Sequence, residues 1–312
     1  MGQSLFGGPD RLRILHCFRS PVGGIFRHVK DLIHQQVKWG HSVGVICDNN
    51  TGGPFEEALL SDLEPCLELG LYRIPMDRSV GPQDLLVMKK LYGQIRDIDA
   101  DVLHSHGAKG GVYARFIGTL LRRGSKRPAR LYCPHGGSIH YDHKTLAGRF
   151  YFGAERILER FTDRLIFVSR YEQDTYFDKV GQSACPYSLA RNGLKPEEFV
   201  PVKTHEAATD FLYIGMMRDL KGVDLLLDAF PIVAKRLSRP ISATMVGDGP
   251  DLARYKQVAS KFGDDVNITF HDPMPARQAF ELGHTVIAVS YTHLRAHETL
   301  GSISYAVFCL KK

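Results

Sequence analysis

Residues 11–38 read RLRILHCFRSPVGGIFRHVKDLIHQQVK, and they indicate the fold class most clearly. It opens with a short apolar run, RLRILHCF, which predicts a buried strand. A turn follows at Ser20–Gly24, where a proline and two glycines stand together, and the residues beyond it predict a helix to about Lys38. The stretch is therefore a βα unit, the building block of a parallel sheet covered by helices.

The same alternation runs along the chain in two series. The first continues with the strand-like runs HSVGVICD, YRIPM, ADVLHSHG, RLYCPHGG and DRLIFVSR. The polar link NGLKPEEFVPVKTHEAATD carries two prolines, and we place a domain boundary there, near residue 205. The second series has the strands FLYIGM, ISATMVGDGP, NITFHD and HTVIAV, separated by helical segments. We predict an α/β fold of two parallel-sheet domains, residues 1–204 and 205–288, that face each other across a cleft.

The composition fits a cytoplasmic enzyme. With 312 residues the chain can bury two ordinary cores, and its 40 basic and 34 acidic side chains give a formal net charge of +6. That mild excess suits phosphorylated ligands or an anionic membrane surface, but it is too small for a nucleic-acid-binding protein. No apolar stretch is long enough to span a membrane. The scattered cysteines, such as Cys17, Cys47 and Cys133, are typical of reduced core residues.

Two glycines stand between the first strand and its helix. Gly23 and Gly24 let the backbone approach a ligand closely, and the helix N-terminus offers free N–H groups to an anion. An ordinary βα turn explains them equally well. The dinucleotide fingerprint G-x-G-x-x-G does not occur here, which argues against a dehydrogenase.

The motif IGMMRDLKGVD follows the first strand of the second series. Its Arg218 and Lys221 are three residues apart in the loop and first turn after the strand, so both cations can converge on one diphosphate. A solvated basic turn is the alternative. The turn VGDGP ends the next strand, where its backbone can contact a nucleotide base or ribose. The remaining candidates at these two strand ends are Gly215, Gly247, Asp248 and Gly249.

Histidines gather at two strand ends of the first domain. In HGGS, His135 precedes Gly136 and Gly137, and an imidazole there can accept a proton or bond a sugar hydroxyl. His106 ends the run HSHG. A zinc site built from His104, His106 and His135 has no cysteine pair or carboxylate to complete a tetrahedron, so we predict no metal. The other histidines considered for that site are His140 and His143.

With these motifs collected, the chain resembles the group-1 (family four) retaining glycosyltransferases of bacterial polysaccharide and glycolipid synthesis. The similarity runs from about Leu12 to Ala288 and includes VGGIFRHV, DVLHSHGAKGG, PHGGS, FVSRYE, IGMMRDLKGVD and VGDGP in that order. It implies a GT-B fold whose first domain holds the acceptor and whose second domain holds a nucleotide-sugar donor. It also implies transfer with retention, without a cofactor or an essential metal.

The resemblance assigns roles to five of the residues above. Arg218 and Lys221 match the family's pair that binds the donor diphosphate. His135 matches its histidine near the reacting sugar, and Gly23 and Gly24 match its glycine loop facing the phosphates. Electrostatic stabilisation of the leaving phosphate by the two cations then carries much of the catalysis.

The resemblance ends near Val289. The family pattern continues with a Pro-Ser turn and paired glutamates that hold the donor, whereas this chain ends in YTHLRAHETLGSISYAVFCLKK. That tail resembles translated sequencing-adapter read-through. We therefore interpret residues 289–312 as an artefactual tail and the donor domain as truncated, and we expect this chain to be catalytically deficient.

Two other functions stay open. One is a noncatalytic α/β module that binds a nucleotide or glycan, and the other is a GT-B-fold sugar-nucleotide epimerase, which needs carboxylates positioned for deprotonation. The expected partners are a nucleotide-sugar donor and a glycan or lipid-linked acceptor. A basic cluster is expected either to rest on anionic lipid at the inner face of the cytoplasmic membrane or to form a solvated linker. That cluster consists of Arg122, Arg123, Lys126, Arg127 and Arg130.

Overall fold

The structure is a computed structural model that describes residues 11–77, 81–122 and 127–287. The predictions for residues 289–312, and for Arg123 and Lys126, lie outside this part. The chain divides into two compact units, one ending at Asn192 and one beginning at Gly193. The predicted boundary near residue 205 lies about a dozen residues further along the chain than this division.

In its described residues, the N-terminal unit forms a seven-stranded parallel sheet with helices between the strands. Its strands are β1 (Arg13–Phe18), β2 (Ser42–Asp48), β3 (Leu71–Ile74), β4 (Val102–His106), β5 (Ala129–Cys133), β6 (Arg164–Phe167) and β7 (Tyr187–Leu189). Its helices are α1 (Gly23–Lys38), α2 (Pro54–Leu63), α3 (Gln83–Ile98), α4 (Gly107–Leu121), α5 (Leu146–Leu158) and α6 (Arg170–Lys179). The predicted parallel sheet is confirmed, whereas α2 and the three-residue edge strand β7 were not predicted.

Both faces of this sheet are buried, as the continuous apolar strands predicted. Leu15 and Cys17 of β1 pack on one face with α3 and α4, and Val43 and Cys47 of β2 pack on the other with α1 and α2. Cys17, Cys47 and Cys133 are buried, so their predicted place in the core is confirmed.

The C-terminal unit has a four-stranded parallel sheet within the described residues. Buried residues such as Met217, Leu227 and Phe230 form its core. Its strands are β8 (Thr209–Ile214), β9 (Ile241–Val246), β10 (Val266–His271) and β11 (Gly283–Ile287), and its helices are α7 (Val223–Leu237), α8 (Leu252–Ala259) and α9 (Ala276–Phe280).

Each sheet reverses its strand order at one point. The first sheet runs β3-β2-β1-β4-β5-β6-β7 and reverses between β1 and β4, and the second runs β10-β9-β8-β11 and reverses between β8 and β11. Ligands of open parallel sheets bind outside the carboxyl ends of the strands at such switch points. The residues that follow β1, β4 and β8 therefore lie where ligands of such sheets bind. Within the described residues no helix is long and apolar enough to cross a membrane.

Candidate functional site

Five imidazoles meet at the switch point of the first sheet. His16 lies on β1, His104 and His106 lie on β4, His28 lies on α1, and His135 follows β5. Neighbouring rings are close: the centroids of His106 and His135 are 5.3 Å apart, those of His28 and His135 are 4.8 Å apart, and those of His104 and His106 are 4.2 Å apart. We call these five residues the histidine cluster. His16 and His28 were missed from the sequence, because each is a single histidine within an apolar strand or helix.

Three members of the cluster are joined by hydrogen bonds in series. Nδ1 of His16 lies 3.0 Å from Nε2 of His106, and Nδ1 of His106 lies 3.1 Å from Nε2 of His135. At its far end, Nε2 of His16 lies 2.8 Å from Oε1 of Gln36 on α1. The predicted residues His106 and His135 are thus directly bonded to one another.

Burial keeps the histidine cluster uncharged. Desolvation lowers the pKa of His16 to about 4 and that of His135 to about 3. Desolvation also lowers the pKa values of His28, His104 and His106, the last two well below the ordinary value. At neutral pH these side chains are therefore neutral imidazoles, each with one N–H donor and one bare nitrogen.

The loop that carries His135 is held in an unusual backbone conformation. His135 has φ of 50°, in the left-handed region that non-glycine residues seldom occupy, and Gly136 follows with φ of 73°. The Gly136 N–H donates to Oε1 of Glu172 at 2.8 Å. Ser138 donates to Oε1 of Glu155 at 3.0 Å, and a Cβ on Gly137 would lie 2.9 Å from the Pro134 carbonyl. Two buried carboxylates thus fix the HGGS loop from opposite ends.

The Glu155 carboxylate is itself part of a buried ion pair. Nη2 of Arg115, on α4, donates to its Oε2 at 2.9 Å, and the Arg115 guanidinium lies 3.7 Å from the ring centre of Tyr132. The Tyr132 hydroxyl donates to the other carboxylate oxygen at 3.0 Å. This network ties α4, α5 and β5 to the loop of His135.

The glycine turn after β1 has the properties of an anion site. Gly23 is the first residue of α1 and has φ of 64°, and a Cβ on either Gly23 or Gly24 would meet nothing within 4 Å. The helix has no side-chain N-cap and no acidic residue in its first turn. Its first N–H groups are therefore left for water or for a ligand, and the helix dipole favours an anion there.

The second switch point carries Arg218 and Lys221. Both lie in one turn after β8, where the Lys221 N–H donates to the Arg218 carbonyl at 2.9 Å. Lys221 ends a 3₁₀ turn, Asp219–Lys221, and α7 begins at Val223, so the two cations lie in the loop and turn that follow the strand, where they were predicted. The half-buried Arg218 guanidinium has no hydrogen bond or ion pair with any described residue. The neighbouring Asp219 is paired with Arg254 instead.

At the other glycines of this switch point, the loop after β9 packs closely on the loop after β8. A Cβ on Gly247, whose φ is 141°, would lie 2.1 Å from the Gly215 carbonyl oxygen, and one on Gly249 would lie 2.4 Å from that of Met217. The Met217 N–H donates to the Asp248 carbonyl at 2.9 Å. Packing of the β8 and β9 loops alone requires small residues here, so contact with a nucleotide stays a prediction.

Part of the histidine cluster could hold a metal ion. Ligand atoms of His28, His106, Cys133 and His135 all lie within 4.8 Å of one another. The group contains one cysteine, Cys133, which ends β5 beside these histidines, and no cysteine pair or carboxylate. Burial raises the pKa of the Cys133 thiol well above its ordinary value, which disfavours the thiolate that a metal needs. His140 lies apart from this group and contacts the Gly136 carbonyl at 3.4 Å.

Two arginines of the predicted basic cluster form ion pairs within the N-terminal unit. Arg122 and Arg130 both donate to the Asp163 carboxylate, at 2.6 and 3.0 Å. Arg127 is exposed. The cluster therefore offers less free positive charge than its sequence indicates.

Two protein-family models match this chain, and together they cover most of its length. Residues 22–198 match the model described as Glycosyltransferase Family 4, and residues 195–302 match the one described as Glycosyl transferases group 1. The chain belongs to glycosyltransferase family 4. The group-1 match of this family-4 glycosyltransferase extends to residue 302, past Ala288, where the sequence resemblance was expected to end.

Individual relatives agree with this assignment. A protein named as a glycosyltransferase, EpsD of Bacillus subtilis (strain 168), is 25% identical over 215 residues, which are 64% of this chain and 55% of that protein. This family-4 chain thus spans about half the length of that relative. Anabaena HepE, solved with UDP and glucose, superposes with a TM-score of 0.63 at 16% identity, over 89% of this chain and 74% of that one. WaaG, a glycosyltransferase involved in lipopolysaccharide biosynthesis, gives 0.61 at 15% identity, over 90% and 75%. The fold is GT-B, as predicted.

Proposed function

We propose that this family-4 glycosyltransferase moves a sugar, with retention of anomeric configuration, from a nucleoside-diphosphate sugar to a polysaccharide or lipid-linked acceptor. The observation that carries the proposal is the pair of cations Arg218 and Lys221 in the turn after β8, at the switch point of the second sheet. A guanidinium without a partner among the described residues, next to a lysine, suits a diphosphate.

The proposed chemistry breaks the bond between the anomeric carbon of the sugar and the β-phosphate oxygen. A bond to the acceptor oxygen forms on the same face, and the hydroxyl proton of the acceptor passes to the departing phosphate. Negative charge therefore grows on the diphosphate, where Arg218 and Lys221 stabilise it without an essential metal. The uncapped start of α1 at Gly23 and Gly24 is a second group suited to phosphate.

His135 is the proposed residue next to the reacting sugar. Burial leaves its ring neutral, with a pKa of about 3, so it acts on a sugar hydroxyl as a hydrogen-bonding group and not as a charge. Its left-handed backbone and the bonds of the loop to Glu155 and Glu172 fix where the ring points. Such fixed positioning is what catalysis on a bound sugar requires.

The class of donor and acceptor is proposed from the relatives. HepE was solved with UDP and glucose, and WaaG is named for lipopolysaccharide biosynthesis. We therefore propose a uridine diphosphate hexose as the first donor to test and an envelope glycan as the acceptor.

Peripheral contact with an anionic membrane, at the cytoplasmic face, is part of the proposal. Helix α5 exposes Leu146, Phe150 and Ile157, at 84, 66 and 58%, along one stripe. Exposed Arg149 and Arg160 stand one turn from the first and last of them. An apolar stripe beside cations suits a lipid interface better than Arg122 and Arg130, which Asp163 already occupies.

Vesicle binding tests this contact. The chain should sediment with phosphatidylglycerol vesicles more than with phosphatidylcholine vesicles, and L146S should reduce that binding several-fold. L85S is the matched control, because Leu85 is equally apolar and exposed on α3. Equal loss of binding in both variants would contradict a specific role for α5.

The function itself is tested by incubating the chain with a panel of nucleoside-diphosphate hexoses and glycan acceptors. Labelled sugar in the acceptor, with one nucleoside diphosphate released for each sugar transferred, is the expected result, and product NMR reads the anomeric configuration. Saturable binding without turnover would favour a noncatalytic module, and interconversion of the donor without transfer would favour an epimerase. Because we expect this chain to be catalytically deficient, its transfer should be detectable but far slower than the roughly 10 s⁻¹ of a typical enzyme, and a rate near that value would contradict the deficiency.

A further inference from the structure

The bonds within the histidine cluster run in one direction. The chain of contacts starts at Gln36 Oε1, passes through both ring nitrogens of His16 and of His106, and ends at Nε2 of His135. Each of its three links is between 2.8 and 3.1 Å, within the ordinary range for hydrogen bonds. The His104 ring lies against that of His106 at a tilt of 35°, but its Nε2 has no hydrogen-bond partner among the described residues, so it takes no part in this chain.

The acceptor at the Gln36 end sets the tautomer of every ring. An amide oxygen only accepts, so Nε2 of His16 must carry its proton, and the Nδ1 of this neutral ring is bare. His106 must then donate from Nε2 to His16, which leaves its own Nδ1 bare. By the same step His135 donates from Nε2 to His106.

The free nitrogen of His135 is therefore an acceptor. Because the ring is neutral and its proton is committed at Nε2, Nδ1 presents a lone pair. Neutral histidine in water is a mixture of both tautomers, so the fixed form is a property that the neighbours impose.

We propose that Gln36, His16 and His106 are positioning residues that hold His135 in its Nε2–H tautomer, so that Nδ1 accepts a hydrogen bond from a hydroxyl of the bound sugar. The functional half of this inference rests on the proposed sugar transfer, but the tautomer itself does not. A donor sugar in which fluorine replaces that hydroxyl can no longer donate and should be a poor substrate, since the site's acceptor is then left without a partner.

The tautomer can be measured directly. In the chain labelled with ¹⁵N-histidine, long-range ¹H–¹⁵N correlation spectra at pH 7.5 separate protonated from bare ring nitrogens, and H135N identifies the signals of His135. We expect Nε2 to be protonated and Nδ1 bare. A proton on Nδ1 of His135 in the wild-type chain would overturn the proposal without any activity assay.

Replacement of Gln36, whose side-chain oxygen ends the chain of hydrogen bonds, provides a second test of the proposal. Q36L removes the terminal acceptor and should convert the His135 signals to a mixture of tautomers, whereas Q35L, the same change at the exposed neighbouring position, should leave them unchanged. Unchanged His135 signals in Q36L would also overturn the proposal. If sugar transfer is found, Q36L should lower kcat/KM roughly tenfold while the affinity for UDP stays constant. Absence of transfer would refute the proposed function and leave the tautomer result intact.

Discussion

At the scale of single residues, the histidine cluster makes the N-terminal unit sensitive to acid. An unfolded histidine takes up a proton near pH 6.5, whereas folded His16 and His135 do so only near pH 4 and pH 3, because burial lowers their pKa values. As the pH falls below 6.5, the unfolded state therefore binds protons that the folded state cannot bind. Stability is full above about pH 6.5 and is lost as the pH falls.

The size of this effect follows from the pKa shifts. Each of these two residues should remove about 2 kcal/mol of unfolding free energy between pH 6.5 and pH 5. Urea unfolding at pH 7 and pH 5 measures it, and the fluorescence of Trp39, the sole tryptophan, reports on the N-terminal unit. H135N should reduce the pH dependence by about 2 kcal/mol, and asparagine tolerates the left-handed backbone of this position. The same change at the exposed His143 should leave the pH dependence of stability unchanged. Equal pH dependence in the two variants would contradict the attribution of acid sensitivity to buried His135.

The site residues at strand ends could be predicted from the sequence, but the residues that they contact could not. His106 and His135 were found because each stands at the end of an apolar run beside glycine. His16 was missed because it is a buried polar residue in the middle of β1, and only the parallel pairing of β1 with β4 brings it to His106. Gln36 was missed for the same reason, since a single glutamine on a helix has no pattern.

At the scale of elements, helix α4 packs unusually closely on β1. A Cβ on Gly110 would lie 2.4 Å from the Cys17 carbonyl oxygen and 2.8 Å from the Phe18 Cα. Both partners are backbone atoms and cannot swing away as a side chain would. G110A should therefore destabilise the N-terminal unit by about 1–3 kcal/mol.

A glycine in the neighbouring helix supplies the control. Gly93 lies inside α3, and a Cβ there would meet nothing within 4 Å. G93A should stabilise the unit by about 0.5–1 kcal/mol, because alanine loses less conformational freedom than glycine in a helix. Urea unfolding of both variants measures the two effects. Destabilisation by G93A, or none by G110A, would contradict the packing described for α4.

Most elements of the fold follow from local sequence, and the exceptions have physical causes. The apolar strands were found because parallel strands buried on both faces are continuous hydrophobic runs. The edge strand β7 has three residues, none of them fully buried, so it lacks that signature. The three-residue 3₁₀ turn before α7 is followed by the left-handed Gly222, whose φ of 64° the residue type alone does not specify.

At the scale of the whole molecule, the two units repeat one plan. Each is a parallel sheet with a single reversal of strand order, and each places its polar candidates after the strand at that reversal. The first unit offers an uncapped helix start and neutral histidines, and the second offers two cations. The helix start and the histidines suit a sugar and its phosphates, and the two cations suit a diphosphate.

The most direct test of the account is the affinity of this chain for a nucleoside diphosphate. Isothermal titration with UDP should give saturable binding, and R218A and K221A should each weaken it about tenfold or more, the loss of a charge-assisted hydrogen bond. R236A, which removes an exposed cation near the far end of α7, should leave the affinity unchanged. Equal affinity in wild type, R218A and K221A would contradict the assignment of the donor site to the turn after β8.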